Sequence, residues 1–382
     1  MVDQYSPLER AAKGQMLMKR RSLLAGASGL ALASLLEGCQ RSNSASLRLA
    51  MLANGVPAQL LRAFQQRPEG EAGIAVVPQD SLAGLYGLLQ RWQRQPEAAA
   101  GADWVSLADY WLAPAIRQGL VQPVETAGLA HWDKLATLWP DLVRRSAEGL
   151  PSAEGIIWAV PYRWSHLVLL YDPSRLPRGA ELTTWADLLR PELHRRVILP
   201  DHPRLVLGMA QKALGASANS DDPAAIADLE TFLTSLHQQV RVYDSDRYLE
   251  ALIIGDASAV VAWSDDVQPL LSQYRHLAAA VPTEGTLLSA QLWVQPAKAT
   301  PSPLAADWLD FCLEAEFADQ LAIFSQGISP RLWGVEPAQL PEPLRRSPTL
   351  LSPQVASQSE FLLPLSEAAE AQYLALWQAL RS

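Results

Sequence analysis

The run Val197-Ile198-Leu199-Pro200-Asp201 is three apolar residues closed by a proline and an acid, and an apolar-periodic stretch over residues 206–214 follows it. β-branched side chains suit the crowded, pleated surface of a strand, whereas apolar residues recurring every three or four positions suit one face of a helix. The pair reads as a strand feeding a helix. Working outward, the alternation returns. Val240-Arg241-Val242-Tyr243 and Ala259-Val260-Val261-Ala262-Trp263 read as strands, with helical stretches over residues 223–237 and 247–254. Toward the N-terminus, strands are expected over 47–52, 73–77 and 103–107. A helix starting near Pro57 and a stretch carrying Leu82, Leu85, Leu88, Leu89 and Trp92 separate them. Strands alternating with helices indicate βαβ units and a mainly parallel sheet. Beyond them come a strand over 290–294 and one long helix through Trp308, Leu309, Leu313 and Phe317. A proline-rich irregular segment over 337–364 and a final helix over 366–380 complete the chain.

Composition narrows the function. The 382 residues are 49% hydrophobic and 19% charged, enough to bury a large core in two or more domains and too apolar for disorder. A net charge of -9 argues against nucleic acid, whose phosphates demand a basic surface. Two cysteines exclude a disulfide framework and a cysteine-rich zinc site. No H-E-x-x-H spacing occurs among the six histidines, and no nucleophile elbow, P-loop or dinucleotide fingerprint is present. Neither catalysis, a cofactor nor a metal is expected. The 13 tryptophans outnumber the 9 tyrosines and 6 phenylalanines, and indole serves equally as core filler and as cleft wall.

The first 39 residues read as an export segment. Lys19-Arg20-Arg21 precedes an uncharged run over residues 22–36, too short to span a bilayer comfortably, which ends at Glu37-Gly38-Cys39. Arg20-Arg21 followed by Ser22-Leu23-Leu24 resembles a twin-arginine signal. Leu36-Glu37-Gly38-Cys39 resembles a bacterial lipobox in which Cys39 becomes the lipidated first residue, with Glu37 departing from the usual small residue. A soluble exported form and an uncleaved anchor remain as alternatives. Removing residues 1–38 leaves 26 basic and 37 acidic residues over 344, so the exported chain is more acidic than its precursor. Cys312 then has no intramolecular partner and is expected to be a buried small hydrophobe.

Several segments, in one order along nearly the whole exported chain, resemble the bacterial extracellular solute-binding proteins, and within them the polyamine-binding proteins of ABC importers. These are Thr184-Trp185-Ala186-Asp187-Leu188-Leu189-Arg190-Pro191-Glu192-Leu193, Ala159-Val160-Pro161-Tyr162-Arg163-Trp164, Asp103-Trp104-Val105 with Tyr110-Trp111, Ala262-Trp263-Ser264-Asp265, and Leu350-Leu351-Ser352-Pro353-Gln354-Val355-Ala356. The resemblance implies an α/β, two-lobed periplasmic binding protein fold of type II, with an interlobe cleft and crossing hinge segments. Crossings are expected near residues 164–170, 289–291 and 326–331. Residues 1–38 would be the signal and 39–46 a tether. Residues 47–166 plus 290–329 would form lobe 1, and 167–289 plus 330–382 lobe 2. The implied function is a periplasmic receptor whose lobes close on a small polar or cationic solute and present the closed shape to a transporter permease, with a lipid anchor holding it at the membrane. A receptor-derived scaffold without transport is the alternative, and an exported enzyme on the same fold the remotest.

Under this resemblance the ligand-facing positions are Asp109, Tyr110, Trp111, Tyr162, Arg163, Trp164, Asp201, Trp263, Asp265, Ser329 and Arg331. Tyr110, Trp164 and Trp263 would stack on a ligand, and Asp109 and Asp265 would receive a cation. Arg163 and Arg331 would instead offer forked donors to a carboxylate or phosphate. Trp164 and Trp263 serve a core equally well, Asp265 a helix cap and Arg331 a helix end, while Trp104 and Trp185 read as core. Four ligand-contacting features of the polyamine-binding relatives fall here on His202, Leu205, Leu288-Ser289-Ala290 and Leu52-Ala53, so a polyamine site in its usual form is not expected.

Overall fold

A computed structural model describes residues 46–68, 73–95 and 101–382. The twin-arginine and lipobox segments, Cys39 included, lie outside the described residues. The strands are β1 (Leu47–Leu52), β2 (Ile74–Gln79), β3 (Trp104–Ala108), β4 (Val121–Gln122), β5 (Arg144–Arg145), β6 (Ile156–Ile157), β7 (Val160–Tyr171), β8 (Val197–Leu199), β9 (Val240–Tyr243), β10 (Ala259–Trp263), β11 (Ala278–Ala280), β12 (Leu287–Pro296) and β13 (Glu360–Phe361). Among the described residues, eight of them form one continuous ladder in the order β2-β1-β3-β12-β7-β10-β8-β9, with β4 and β13 attached to β12 and β11 to β7.

β7 organises the molecule. Its first half pairs antiparallel with β12, from Val160 opposite Trp293 to His166 opposite Leu288. Its second half pairs with β10, from Leu167 opposite Trp263 to Tyr171 opposite Ala259. The partner changes between His166 and Leu167, inside the expected first crossing. The apolar cores divide at the same place. Trp164 belongs with the core of β1, β3 and β12, whereas Leu167, Leu169 and Tyr171 belong with that of β8 and β10, together with Trp185 and Val206. Val168 and Leu170, on the opposite face, join a third cluster with Ile198 and Val260, as the two-residue period of a strand requires. Covered on both faces, β7 is buried almost throughout and apolar from Leu167 to Tyr171.

On each side the strands are parallel where the alternating pattern demands it: β1 with β2 and β3, and β8 with β9 and β10. The helix Pro203–Ala213 follows β8 as expected, its proline seated in the first turn where a missing N–H costs nothing. The stretch over 223–237 is instead a short 3-10 turn, Pro223–Ala225, and a helix, Leu229–Gln239, because Asp228 takes the left-handed conformation at φ 63° between them. The stretch over 247–254 is helical only at Glu250–Ile253. The single long helix near Trp308 is two, Ala305–Cys312 and Ala315–Ser325, since Glu314 is extended at ψ 152°. The expected irregular tail contains two short helices and β13. Residues 330–382 serve both cores: Trp333 and Phe361 pack with Trp164, while Tyr373 and Trp377 of the final helix, Glu367–Arg381, pack with Trp185.

Candidate functional site

In sheets of this kind ligands bind beyond the carboxyl ends of the parallel strands, and here β3 and β10, antiparallel to each other through β12 and β7, end toward the middle of β7 from opposite directions. β3 delivers Asp109, Tyr110 and Trp111 there, β8 delivers Asp201, and β10 delivers Trp263 and Asp265. β7 and β12 connect the two groups, and a third segment joins them. The Trp164 amide donates to the Ile328 carbonyl at 2.9 Å, and the Trp164 indole donates to the Ser329 carbonyl at 3.2 Å.

Asp109 is 7% exposed. Its Oδ1 accepts from Ser289 Oγ at 2.8 Å and from the Ala290 amide at 3.1 Å, so the loop after β3 is tied to β12. Burial nevertheless pushes its carboxyl up to about 6, against those two hydrogen bonds and the positive charge of Arg145. Tyr110 is 47% exposed, with its ring tilted against that of Trp111 at 5.6 Å. Trp111 stacks on Tyr86 at 4.2 Å, which commits one face of its ring.

Tyr162 lies in the core. The ladder between β7 and β12 slips at this point: Gln291 faces Arg163, the next residue Leu292 faces Pro161, and Tyr162 is left over. An extra residue of this kind re-aims its side chain. Tyr162 is accordingly 0% exposed, stacks on Trp293 at 4.6 Å, donates to Gln291 Oε1 at 2.8 Å and shares a 2.8 Å hydrogen bond with Ser106. Trp164 is also enclosed, among Trp139, Trp333 and His166. His166 donates from Nε2 to the Thr349 carbonyl, and burial lowers its pKa to about 4.

Arg163 and Asp265 come together across the crossing, Nη2 to Oδ2 at 3.4 Å. Gly327 of the third segment presses against this guanidinium; a Cβ there would stand 3.1 Å from Arg163 Nε. Trp164, Asp265 and Ile328 line a small solvent-open pocket with Gln268, Gln326 and Thr349. The neighbouring Asp266 accepts from the Tyr248 hydroxyl. Asp201 is engaged elsewhere: Arg381, at the end of the last helix, donates to its Oδ1 at 2.6 Å and lies over the rings of Tyr243 and Trp377. Ser329 is fully buried and accepts from the Arg331 amide, capping a short turn, and Arg331 donates to the Lys134 carbonyl at 2.6 Å. These last three are spent on the fold. Trp104 and Trp185 are core, donating to the Ala305 and Gly285 carbonyls, and Cys312 is buried with its thiol pushed up by burial.

Arg145, Tyr248 and His166 carry chemistry that sequence reasoning passed over. Tyr248 and His166 sit in ordinary surroundings in the sequence. Arg144-Arg145 reads as a solvated basic pair, and only the pairing of β5 with β6 buries its second member.

Residues 59–340 match the bacterial extracellular solute-binding proteins. Spermidine/putrescine-binding periplasmic protein 1 of Haemophilus influenzae is 25% identical over 268 residues, spanning 70% of this chain and 70% of that protein. The spermidine/putrescine-binding periplasmic protein of Escherichia coli is 24% identical over 304 residues, spanning 79% and 78%. Among solved structures, the spermidine/putrescine ABC transporter substrate-binding protein PotD from Streptococcus pneumoniae, in complex with calcium and HEPES, superposes with a TM-score of 0.74 at 21% identity over 88% of this chain and 99% of that one. With a strand that changes partners at its midpoint and two groups of side chains gathered at the strand ends, the chain has the two-lobed fold of the bacterial extracellular solute-binding proteins, and it belongs to that family.

Proposed function

We propose that the chain is the periplasmic solute-binding receptor of an ABC importer, holding a small polar solute between its lobes and performing no chemistry of its own. The observation that carries this reading is β7, one strand shared by two separately packed cores, with Arg163 before the change of partner and Asp265 just past the end of β10 that pairs immediately after it. A shared strand is a hinge with few dihedrals to turn, and a solute touching both sides stabilises closure. The lobes are residues 47–166 with 290–329, and 167–289 with the final helix Glu367–Arg381, while 330–366 straps both. Tyr110, Trp111, Arg163, Trp263, Asp265 and Asp109 face the solute. Trp164, Tyr162, Ser329 and Arg331 set the positions of those six.

Titration calorimetry of the purified protein against polyamines, amino acids, sugars and organic acids, paired with solution scattering, tests the reading. Heat from one class together with a smaller scattering radius supports it. No heat from any class and an unchanged radius would favour a scaffold derived from a receptor, the reading suggested by Asp201 being occupied by Arg381.

Export and anchoring belong to the same proposal. Arg20-Arg21 direct export and Cys39 carries lipid. Cys39→Ser is expected to move the protein from the membrane to the soluble periplasmic fraction and to abolish labelling by a fatty-acid analogue; an unchanged membrane fraction would remove the anchor from the scheme.

A further inference from the structure

Four carboxylates at the strand ends are engaged by the protein's own donors: Asp201 by Arg381, Asp265 by Arg163, Asp266 by Tyr248, and Asp109 by Ser289 and Ala290. One unspent buried group is positive. Arg145 is 2% exposed, and its Nε and Nη1 have no hydrogen-bond partner in the protein. A guanidinium presents five N–H donors in a plane and no acceptor, and withdrawing it from water without acceptors is costly. It remains charged at neutral pH, because burial lowers its pKa only to about 10 and Asp109 offsets part of that effect.

The fold fixes where this charge sits. Arg145 is the second residue of β5, held by β6 and by the Trp158 indole, which donates to its carbonyl at 3.1 Å. The turn that follows is pressed onto the short helix Leu112–Arg117, which continues directly from Asp109-Tyr110-Trp111. Gly149, at φ 78°, lies so close that a Cβ there would stand 2.7 Å from the Ala113 carbonyl. Arg145, through the turn that follows it, and Asp109, which leads into the helix, thus meet at one short helix and feel each other's charge, yet among the described residues no ion pair joins them.

We infer that Arg145 anchors a carboxylate of the bound solute, so that this receptor takes carboxylate-bearing solutes in preference to simple diamines. A carboxylate supplies two acceptor oxygens in the plane a guanidinium needs. An ammonium brought to Arg145 would meet a like charge, and the nearby Asp109 is already engaged by Ser289 and Ala290. The inference rests on the receptor reading above and specifies its substrate class.

The test uses three five-carbon solutes that differ only at their ends: cadaverine, 5-aminopentanoate and glutarate. Each is titrated into the purified full chain, and the small molecule released from natively expressed protein is identified by mass spectrometry. At least one of the two carboxylates is expected to bind tenfold or more tightly than cadaverine, or the released solute to carry an acidic group. Arg145→Gln is expected to lower that affinity tenfold or more. Arg145→Lys, which keeps the charge without the fork, should retain part of it and guards against loss of folding in the first variant. Cadaverine binding as well as or better than both carboxylates, a released solute without an acidic group, or unchanged affinity per folded molecule in both variants would each overturn the inference while leaving a solute receptor standing. No released solute and no heat from any of the three would overturn the inference alone; the receptor reading falls only when the wider panel of polyamines, amino acids, sugars and organic acids also gives no heat and the scattering radius is unchanged.

Discussion

Asp109 and Asp201 occupy equivalent places, each just beyond the carboxyl end of a parallel strand, and they have opposite fates. Asp201 stays 46% exposed at its side chain and is matched by Arg381 across 180 residues of sequence. Asp109 is enclosed, holds its lobe to β12, and sits near a guanidinium that it does not directly pair with. The difference teaches where a solute finds unspent charge. On the Asp201 side the protein has answered its own carboxylate; on the Asp109 side it has buried a cation and left its donors open.

Tryptophan substitutions give the largest expected effect and sharpen the contrast between core and rim. Trp185→Ala removes a fully buried indole and its hydrogen bond to Gly285, and should cost about 3–5 kcal/mol in urea denaturation. Trp263→Ala, at the strand end, should cost less stability and weaken solute binding more at matched folded fraction. Equal losses of binding would erase the distinction.

The next effect is read at Asp109 by pH. The folded pKa of Asp109 is raised from 3.8 to about 6, so its contribution is fully present below pH 3.8 and is lost as pH rises through 6. About two pKa units correspond to about 3 kcal/mol. His166 works in the opposite direction: its folded pKa is lowered from 6.5 to about 4, so its contribution is present above 6.5 and is lost as pH falls through 4. The two oppose each other in the wild type, and substitution exposes one of them. Asp109→Asn, whose carbonyl oxygen still accepts from Ser289 and Ala290, should gain about 3 kcal/mol relative to wild type between pH 3.5 and 7.5, read from denaturation midpoints. A slope in Asp109→Asn unchanged from wild type would mean that burial does not raise this carboxyl.

Arg381→Gln gives the smallest effect. The exposed pair with Asp201 should be worth less than about 1 kcal/mol, and the loss should vanish in high salt. A larger, salt-insensitive loss would instead assign the effect to the contact of Arg381 with Tyr243 and Trp377.

The strands were legible wherever an apolar run was bounded by a proline, an acid or a turn. Val197–Leu199, Val240–Tyr243 and Ala259–Trp263 appear at the expected residues. Helix ends were less so, because Asp228 and Glu314 break helices through backbone conformations that composition does not announce. Asp109, Tyr110, Trp263 and Asp265 stand at the ends of β3 and β10, where the two-residue strand pattern puts them, and their contact with a solute belongs to the proposal. Tyr162 was placed in the site because its neighbours are, and a single slip in register sent it to the core instead. The same blindness hid Arg145, since nothing in Arg144-Arg145 tells which of the two guanidinium groups loses its water.

By itself the sequence determined the alternation of strands and helices, the acidic balance, the absence of catalytic spacings and the family, because periodicity and local chemistry are written along the chain. Only the tertiary structure decided which charges are spent. A carboxylate is satisfied or left open according to what stands within about 3 Å of it, and the partners that settle the matter lie far away along the chain: Arg381 for Asp201, Ser289 for Asp109.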